Sequence, residues 1–247
     1  MSIEETSLNK ILLIFDFDET IIDKDSEYEL AKMLNSKEEY DKIVEMDDTD
    51  YYSGFNYLFQ KLKSNNFTLQ DVNLTLDKME LSPKMSELFD YIRKNKSKYE
   101  IIIISGDIDY SINHILKHYN IFDLFDCIIS NKSIIQNIND ERLLYIPENQ
   151  FPHSCNLCIE SQCKGLELQK FLEKNGKKFK KIVFVCDGGN DFCPCKKVLA
   201  KGDVVFPRVG HWFCIRMKEE NLMDQLTCDV YPWKNADEII NKLISFN

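Results

Sequence analysis

Carboxylates follow directly on an apolar run near the start of this sequence. The stretch ILLIFDFDETIID, residues 11–23, places Asp16 and Asp18 two positions apart, just after five apolar residues. Side chains two positions apart on extended backbone lie on the same face of the chain. Neighbouring carboxylates repel each other unless a cation neutralises them, and oxygen ligands suit a hard ion such as magnesium. The pattern therefore predicts a strand with a magnesium site at its end.

Three further polar motifs stand next to other predicted elements. SGD follows the run IIII, CKG precedes a helix-like stretch, and DGGND follows the run KIVFVC. Ligands of a doubly wound sheet bind beyond the carboxyl ends of its strands, so the four motifs are expected to meet. Asp187 would then complete the metal site, and Ser105 and Lys164 would hold phosphate oxygens. A carboxylate beside a metal and a lysine is a nucleophile suited to phosphorus.

Short apolar runs alternate with helix-like stretches along most of the chain. Such runs suit strands that are buried on both faces of a parallel sheet. The alternation predicts an α/β fold with a doubly wound, mostly parallel sheet. The stretch 83–95 begins with a proline, which favours the first turn of a helix. The strands are expected to begin near residues 11, 101, 127, 181 and 203, and the helices to span 83–95, 108–118, 165–174 and 235–245.

Residues 24–80 break this alternation, because they contain helix-like stretches and no strand signal. A crossover of that length is unusual in a compact domain. We therefore expect a helical cap inserted at 24–80 and a catalytic α/β core formed by 1–23 and 81–247. An ordinary long crossover is the alternative. A second irregular region, 131–163, contains a segment that predicts a small hairpin.

The amino-acid composition indicates a globular protein and disfavours some classes of partner. Hydrophobic residues make up 44% and charged residues 29% of the 247 residues, which is typical of a globular protein. The formal net charge of -10 disfavours nucleic acid as a partner, because an acidic surface repels a phosphate backbone. The first ten residues lack the basic start of a signal peptide, and the apolar runs are too short to span a membrane. We expect a cytoplasmic protein with neither a membrane nor a nucleic-acid partner.

Nine cysteines in a sequence without a signal-peptide pattern favour reduced thiols or metal ligands over disulfides. HSCNLCIESQC brings Cys155, Cys158 and Cys163 close together, and the first two have the C-x2-C spacing of zinc sites. A structural zinc ion at these three residues is one interpretation. The sequence favours another, in which small buried thiols pack together and order the loop that carries Lys164. Further cysteines that could contribute are Cys186, Cys193 and Cys195.

The four motifs, in this order, resemble those of the haloacid dehalogenase superfamily of aspartate-nucleophile phosphatases. LIFDFDETIID, HSCNLC, CKG, DGGND and FPRVG together are similar to the phosphoethanolamine/phosphocholine phosphatase family, which includes pyridoxal phosphate phosphatases. The likeness covers most of the chain outside residues 24–80. It implies a Rossmann-like haloacid dehalogenase core that hydrolyses small phosphorylated metabolites with magnesium through an aspartyl-phosphate. The resemblance favours three substrates, namely phosphoethanolamine, phosphocholine and pyridoxal 5'-phosphate.

The resemblance also implies a role for each matched residue. Asp16 matches the nucleophile. Asp18 matches the general acid that protonates the leaving alcohol and the base that then activates water. Magnesium would be held by Asp16, Asp187 and the backbone carbonyl of Asp18. The matched phosphate-binding residues are Ser105, Gly106 and Lys164, and the residues that would support the metal are Asn190 and Asp191.

The chain departs from the family pattern after the second motif's serine. Family members commonly have an aspartate directly after it, which is thought to meet the substrate's cationic group. Here Gly106 takes that position and Asp107 follows, so selectivity for choline or ethanolamine is left open. The other acids that could meet a cation, all near the entrance to the cap, are Asp23, Asp25 and Glu27, for which a solvated surface is the alternative.

Simpler structural roles compete with the catalytic ones. Ser105 could cap the helix at 108–118, Lys164 could lie on the surface, and Asp191 could cap a helix. A phosphoserine-phosphatase-like enzyme or another metabolite phosphatase is the alternative function on the same scaffold. A non-catalytic phosphate-binding relative is a further alternative, which the presence of all the key aspartates disfavours.

Overall fold

The structure, a computed structural model, describes residues 10–49, 51–138, 141–147, 150–158, 161–175 and 179–246. Within these residues the strands are β1 (Ile11–Phe15), β2 (Tyr99–Ile108), β3 (Cys127–Asn131), β4 (Ile134–Ile138), β5 (Glu141–Tyr145), β6 (Lys181–Cys186), β7 (Val204–Pro207) and β8 (Asp229–Val230). Six of them form one sheet in the order β3-β2-β1-β6-β7-β8. Every neighbouring pair in this sheet is parallel. The predicted α/β fold with a doubly wound parallel sheet is confirmed.

Helices connect successive strands of the six-stranded sheet. Four of those between β1 and β2 fall within residues 24–80, where the sequence predicts the cap: α1 (Ser26–Ala31), α2 (Lys37–Thr49), α3 (Tyr51–Ser64) and α4 (Leu69–Leu76). The division of the chain into cap and core remains a prediction. The other α-helices of the described residues are α5 (Met85–Lys94), α6 (Asp109–His118), α7 (Lys164–Asn175), α8 (Phe192–Lys197), α9 (Trp212–Glu219) and α10 (Ala236–Ile244).

Several element boundaries differ from the sequence prediction by one or more residues, and two of these differences have a clear structural cause. The helix expected at 83–95 begins at Met85, because Lys84 has a φ of 65° in the left-handed region and Pro83 therefore lies before the first turn. Strand β2 continues to Ile108, with irregular pairing to β3 after Ile104. The SGD motif therefore lies within the end of β2 instead of after it.

Strand β1 is apolar throughout because both faces of the sheet are covered around it. Leu12 belongs to one hydrophobic cluster, together with Leu168 of α7. Leu13 belongs to the other, together with Leu88 of α5 and Phe55 of α3. Burial of such a side chain stabilises the folded state by about 1.5–3 kcal/mol. The strand is therefore a rigid support for the residues that follow it.

The register of the sheet brings the ends of β1, β2 and β6 together. Phe15, the last residue of β1, lies opposite Ile103 of β2 and Val185 of β6. The backbone N–H of Asp16 donates to the carbonyl of Val185 at 3.0 Å, which extends the pairing by one residue. Polar residues that follow these strands therefore share one edge of the sheet, as expected for a doubly wound fold.

Helix α3 is attached to the α/β core through polar contacts as well as apolar packing. The Tyr51 hydroxyl donates to the carbonyl of Gly106 near the end of β2. Asn56 makes a pair of hydrogen bonds with the backbone of Ile146: its Nδ2 donates to the carbonyl at 3.0 Å and its Oδ1 accepts from the N–H at 2.8 Å. These contacts hold α3 beside the edge of the sheet where the polar motifs meet.

The predicted hairpin within 131–163 is confirmed, since β4 and β5 pair antiparallel in a separate sheet. Strand β8 was not predicted, because a strand of two residues carries no periodic pattern. None of the helices in the described parts of the chain combines the length and the apolar character needed to cross a membrane.

Candidate active site

A cavity of about 240 Å³ lies at the edge of the sheet where β1, β2 and β6 end. Almost all of the site residues predicted from the sequence line it. Asp191 and Asp23 are the exceptions, because Asp191 contacts the lysine that lines the cavity and Asp23 pairs with Arg208. The predicted residues on the cavity wall are Asp16, Asp18, Asp25, Glu27, Ser105, Gly106, Asp107, Lys164, Asp187 and Asn190.

Lys164 bridges two carboxylates. Its Nζ donates to Oδ2 of Asp16 at 2.6 Å and to Oδ1 of Asp191 at 2.7 Å. Lys164 is only 2% exposed, so the alternative of a surface lysine is wrong. Burial by itself lowers the pKa of Lys164, but Asp16 and Asp191 outweigh that effect and raise the pKa above its ordinary value. The lysine therefore remains charged and fixes one oxygen of Asp16.

Asp16, Asp187 and Asp191 form a compact group of carboxylates. Each offers an oxygen, and these oxygens lie within 4.8 Å of one another. Burial raises the pKa of Asp187 well above its usual range, and Asp16 and Asp191 add to the shift. Burial likewise raises the pKa of Asp191 to about 7. One lysine does not offset this much buried negative charge, whereas a hard divalent cation with oxygen ligands fits the group.

Hydrogen bonds hold in place the two carboxylates that follow β6. Oδ1 of Asp187 accepts from the Thr20 hydroxyl at 2.9 Å. Oδ2 of Asp191 accepts from the N–H of Gly188 at 2.8 Å, at the start of a short 3-10 helix. Asp191 stands at the N-cap position of α8, but its side chain does not cap that helix, so the capping alternative is wrong. One oxygen instead binds the N–H of Gly188 and the other binds the lysine, and both bonds hold the side chain beside Asp16 and Asp187.

Asp18 has different surroundings from Asp16. Its Oδ1 accepts from the N–H of Ser26, the first residue of α1, at 2.8 Å. Burial raises the pKa of Asp18 well above its usual range, and the carboxylates of Asp107 and Asp25 raise it further. A carboxyl group that retains its proton can serve as a general acid.

The SGD motif lies on the wall of the cavity. Ser105 does not cap α6, because Ile108 occupies the N-cap position and no side chain caps that helix. Its Oγ instead accepts from the N–H of Asp107 at 3.1 Å. The carbonyl of Gly106 accepts from Nδ2 of Asn131 at 2.6 Å, which fixes this end of β2.

Asp107 is buried although it stands one position later than the family pattern expects. Its Oδ1 accepts from the N–H of Ile108 at 2.6 Å, and its Oδ2 accepts from the Ser26 hydroxyl at 3.1 Å. Burial raises the pKa of Asp107 to about 8, and the charge of Asp25 adds to this increase. The hydrogen bond from Ile108 acts in the opposite direction but is outweighed. The one-residue displacement therefore leaves a carboxyl group on the cavity wall.

The acids proposed to meet a cation divide into two sets. Asp25, Glu27 and Asp107 line the cavity, and Glu27 is only 5% exposed, so the surface alternative is wrong for Glu27. Asp23 does not belong with them. Its carboxylate pairs with Arg208, so the suggestion that Asp23 meets a substrate is wrong.

Several residues of the site were missed by sequence reasoning. His211 lies 3.4 Å from Oε2 of Glu19 and 3.8 Å from Oδ2 of Asp187, measured from its Nδ1. His211 follows β7, so the rule that polar residues after strands share the site would have found it. Aromatic side chains of residues 24–80 carry no such signal, because their spacing indicates only helix packing. Of these, Tyr28, Tyr51 and Phe55 line the cavity, and Trp212 of α9 lines it as well.

The comparisons with known proteins agree with this geometry. A family model described as "Putative Phosphatase" matches residues 11–246. Pyridoxal phosphate phosphatase PHOSPHO2 of Homo sapiens is 32% identical over 244 residues, which cover 95% of this chain and 97% of that protein. The phosphoethanolamine/phosphocholine phosphatase of Homo sapiens is 30% identical over 240 residues, which cover 93% of this chain and 86% of that protein.

Solved structures show the same fold. A phospho-aspartyl intermediate analogue of phosphoserine phosphatase superposes with a TM-score of 0.63 and covers 95% of this chain and 99% of its own. At 19% identity this likeness supports the fold alone. The family model and the relatives, by contrast, extend over nearly the whole chain. The chain belongs to the family that this model describes and is a phosphoric monoester hydrolase of the haloacid dehalogenase type.

Proposed function

We propose that this chain is a magnesium-dependent phosphatase of small amine phosphate esters, with phosphoethanolamine and phosphocholine as its preferred substrates. The observation that carries the proposal is the position of Asp16, whose carboxylate lies on the cavity 2.6 Å from the ammonium of a buried lysine. The family resemblance makes this aspartate the nucleophile. The names of the two human relatives support small phosphorylated metabolites as the substrate class.

The proposed reaction has two steps. In the first, the carboxylate of Asp16 attacks phosphorus, the bond from phosphorus to the ester oxygen breaks, and Asp18 gives its proton to the leaving alcohol. In the second, Asp18 takes a proton from a water molecule that attacks the same phosphorus. The bond between Asp16 and phosphorus then breaks and inorganic phosphate leaves. The raised pKa of Asp18 supports its role as the acid of the first step.

Two cavity residues are suited to hold the phosphate. Lys164 is charged, buried and already in contact with Asp16, so it can bind a phosphate oxygen next to the attacking carboxylate. Ser105 offers a buried hydroxyl on the adjacent strand, and Gly106 stands beside it on the wall of the cavity. Positioning of this kind and neutralisation of charge supply most of the catalysis of phosphoryl transfer.

The carboxylate group supports magnesium as the cofactor. Asp16 and Asp187 would hold the ion together with the backbone carbonyl of Asp18, as the resemblance implies, and Asp191 would act directly or through water, with Asn190 nearby. When bound, the ion offsets the repulsion between an anionic substrate and an anionic nucleophile. Oxygen-only ligands favour magnesium over softer metals at this position.

Three carboxyl groups that line the cavity, here called the acidic wall, support a cationic leaving group. They belong to Asp25, Glu27 and Asp107, and an ammonium group that is partly removed from water would pair with them. Aromatic rings that line the same cavity can stabilise a quaternary ammonium through cation–π contacts. The cavity of about 240 Å³ suits a small substrate.

The same wall disfavours phosphoserine, which carries a carboxylate beside its amine. Among the described residues that line the cavity, Lys164 is the only lysine or arginine, and it lies at the nucleophile. A substrate carboxylate would therefore meet negative charge. Pyridoxal 5'-phosphate is a second candidate, because Tyr28, Tyr51, Phe55 and Trp212 offer aromatic faces to a pyridine ring.

A substrate panel tests the proposal. Purified protein with magnesium would be offered phosphoethanolamine, phosphocholine, pyridoxal 5'-phosphate, phosphoserine and glycerol phosphate, and released phosphate would give kcat/KM for each. We expect the two amine esters to exceed glycerol phosphate by roughly five- to a hundredfold, since a desolvated charge pair contributes about 1–3 kcal/mol. Phosphoserine should rank below phosphoethanolamine.

Two results of the panel would contradict the proposal in different ways. If kcat/KM for the amine esters does not exceed that for glycerol phosphate, the acidic wall does not recognise the amine. If kcat/KM is highest for pyridoxal 5'-phosphate, that ester is the preferred substrate instead. Full turnover in excess chelator, with no metal found by elemental analysis, would exclude the magnesium mechanism.

A further inference from the structure

Four cysteines from three parts of the chain meet outside the phosphatase site. Cys155 and Cys158 lie in the loop before α7, Cys163 directly precedes α7, and Cys193 lies in α8. Their sulfur atoms all lie within 4.8 Å of one another. Folding therefore brings two further thiols to the C-x2-C pair noted in the sequence. They belong to Cys163 and Cys193, which are 30 residues apart in the chain.

The distances between the sulfur atoms are too long for a disulfide and are compatible with a metal site. Sγ of Cys193 lies 3.7 Å from Sγ of Cys155 and 3.6 Å from Sγ of Cys163. A disulfide requires about 2.05 Å. Four thiolates placed tetrahedrally at about 2.3 Å from zinc have sulfur–sulfur distances of about 3.8 Å. The observed spacing matches the edge of such a tetrahedron.

The surroundings of the four thiols suit an anionic metal–thiolate centre. Nζ of Lys197 donates to Sγ of Cys155 at 3.0 Å, which places a positive charge beside the group. Cys163 and Cys193 are buried, and Cys155 and Cys158 are half-buried. A zinc ion with four thiolates carries net negative charge, which this lysine would partly offset.

We propose that Cys155, Cys158, Cys163 and Cys193 bind one zinc ion with a structural role. Four protein ligands leave no open position for a substrate, which is the arrangement of structural rather than catalytic zinc. The site does not share a residue with the carboxylate group proposed for magnesium. It therefore gives the chain a second metal of different chemistry.

The zinc site joins the two segments that hold the catalytic lysine. Cys163 immediately precedes Lys164, and Cys193 lies two residues after Asp191, the carboxylate that the lysine contacts at 2.7 Å. At Gly165 a Cβ atom would come within 2.8 Å of Sγ of Cys193, so α7 and α8 approach closely at this point. A zinc ion between these segments would fix the position of Lys164 relative to Asp191.

Elemental analysis and cobalt substitution test the site. Protein purified without chelators from zinc-supplemented medium should contain about one zinc ion per chain, as expected for a closed four-thiolate site. Reduced, metal-free protein titrated with cobalt should show the strong visible absorption of tetrahedral cobalt–thiolate coordination, saturating at one equivalent. Zinc should then displace the cobalt and abolish the absorption.

Matched variants assign the metal to these residues. Cys158→Ser and Cys193→Ser should each lose most of the zinc and the cobalt absorption. Cys214→Ser, which alters a half-buried cysteine outside the group, should retain both. Asp187→Asn should also retain the zinc, because it changes only the carboxylate group. The cobalt titration of the parent protein does not depend on whether the cysteine variants fold.

The proposal is overturned if the parent protein contains no zinc and gives no thiolate–cobalt absorption on titration. Packing of reduced thiols would then be the remaining explanation of the cluster. Zinc that survives in both cysteine variants but disappears in Asp187→Asn would also overturn it, because the metal would then belong to the carboxylates.

Discussion

At the scale of single residues, the two aspartates of the first motif differ in what surrounds them. Asp16 is bound by the ammonium of Lys164, whereas Asp18 is bound by a backbone N–H and lies near Asp107 and Asp25. Burial and neighbouring acids raise the pKa of Asp18 and favour its protonated form. This contrast supports the division of labour in which one aspartate attacks and the other transfers protons.

Replacement of the proton donor tests that division. Asp18→Asn should lower kcat for an alkyl phosphate by about 10²- to 10⁴-fold, the usual contribution of a general acid or base. In a single turnover, release of an aryl alcohol that leaves without protonation should be slowed much less than release of an alkyl alcohol. Equal losses for the two esters would show that Asp18 does not protonate the leaving group.

A buried carboxyl group also makes stability depend on pH. Burial raises the pKa of Asp107 to about 8, whereas an aspartate of an unfolded chain titrates near about 4. Between these values the folded protein retains a proton that the unfolded chain has released. The free energy of unfolding of the parent should therefore fall as pH rises from about 4 to about 8, with no further loss from this group above that range.

Asp107→Asn removes this titration. Its free energy of unfolding relative to the parent should rise between about pH 4 and about pH 8, measured by urea unfolding in the presence of a chelator. Asp90→Asn, which changes an exposed aspartate of α5, provides the control and should show no such trend. A constant difference between the Asp107 variant and the parent would contradict the raised pKa.

Sequence reasoning found the residues that the structure brings together at the cavity, because each stands beside a recognisable element. Asp16 and Asp187 follow apolar runs, and Lys164 precedes a helix. Cys193 was only one of several candidates for the cysteine group, because it joins the other three through folding and not through spacing. Tyr51 could not be assigned to the cavity, since its helix has an amphipathic pattern that indicates only which face is buried.

At the scale of elements, α7 and α8 approach each other closely beside Lys164 and the carboxylate of Asp191 that it contacts. A Cβ at Gly165 would lie 2.8 Å from Sγ of Cys193 and 3.4 Å from the backbone of Pro194. Gly165→Ala should therefore destabilise the protein by about 1–3 kcal/mol through overpacking, although alanine is the better helix former. Urea unfolding measures the change.

Gly106→Ala provides the matched control for this prediction. A Cβ at Gly106 would meet no atom within 4 Å, so the free energy of unfolding should change little. If Gly165→Ala were as well tolerated as the control, the close approach of the two helices would not constrain the folded state.

The boundaries of elements were less predictable than their existence. All the expected strands are present, because runs of buried aliphatic residues have a strong signal. The start of α5 was misplaced because the left-handed backbone at Lys84 is a local conformation that apolar periodicity does not report. The end of β2 was misplaced because Ile108 pairs with Asn131, a contact between distant residues.

At the scale of the whole molecule, the cavity lies where the inserted helices meet the sheet. Glu27 of α1 and Phe55 of α3 line the same cavity as Asp16 and Asp18, the aspartates that follow β1. The order of the motifs predicted the part of the cavity at the edge of the sheet, and the sequence also named Asp25 and Glu27 as candidates. The aromatic residues of 24–80 that line the cavity were not predictable, because their position depends on how these helices pack on the sheet.

The acidic wall can be tested by neutralising one carboxylate. Glu27→Gln should lower kcat/KM for phosphoethanolamine by roughly five- to a hundredfold, the equivalent of a partly desolvated charge pair of about 1–3 kcal/mol. Its kcat/KM for glycerol phosphate should change little. Glu29→Gln alters a carboxylate of the same helix that pairs with Lys32 away from the cavity, and should leave both values unchanged. Equal losses for both substrates would exclude recognition of the amine by Glu27.

The central claim, that Asp16 becomes phosphorylated, can be measured directly. Asp18→Asn, which should accumulate the intermediate because water is no longer activated, would be mixed with magnesium and an aryl phosphate, quenched in acid and reduced with borohydride. Reduction converts an aspartyl-phosphate to homoserine, which peptide mass spectrometry locates. The proposed mechanism predicts homoserine at position 16 only, dependent on substrate, and none when Asp16→Asn is added to the variant. Modification at another residue, or none during continuing turnover, would contradict it.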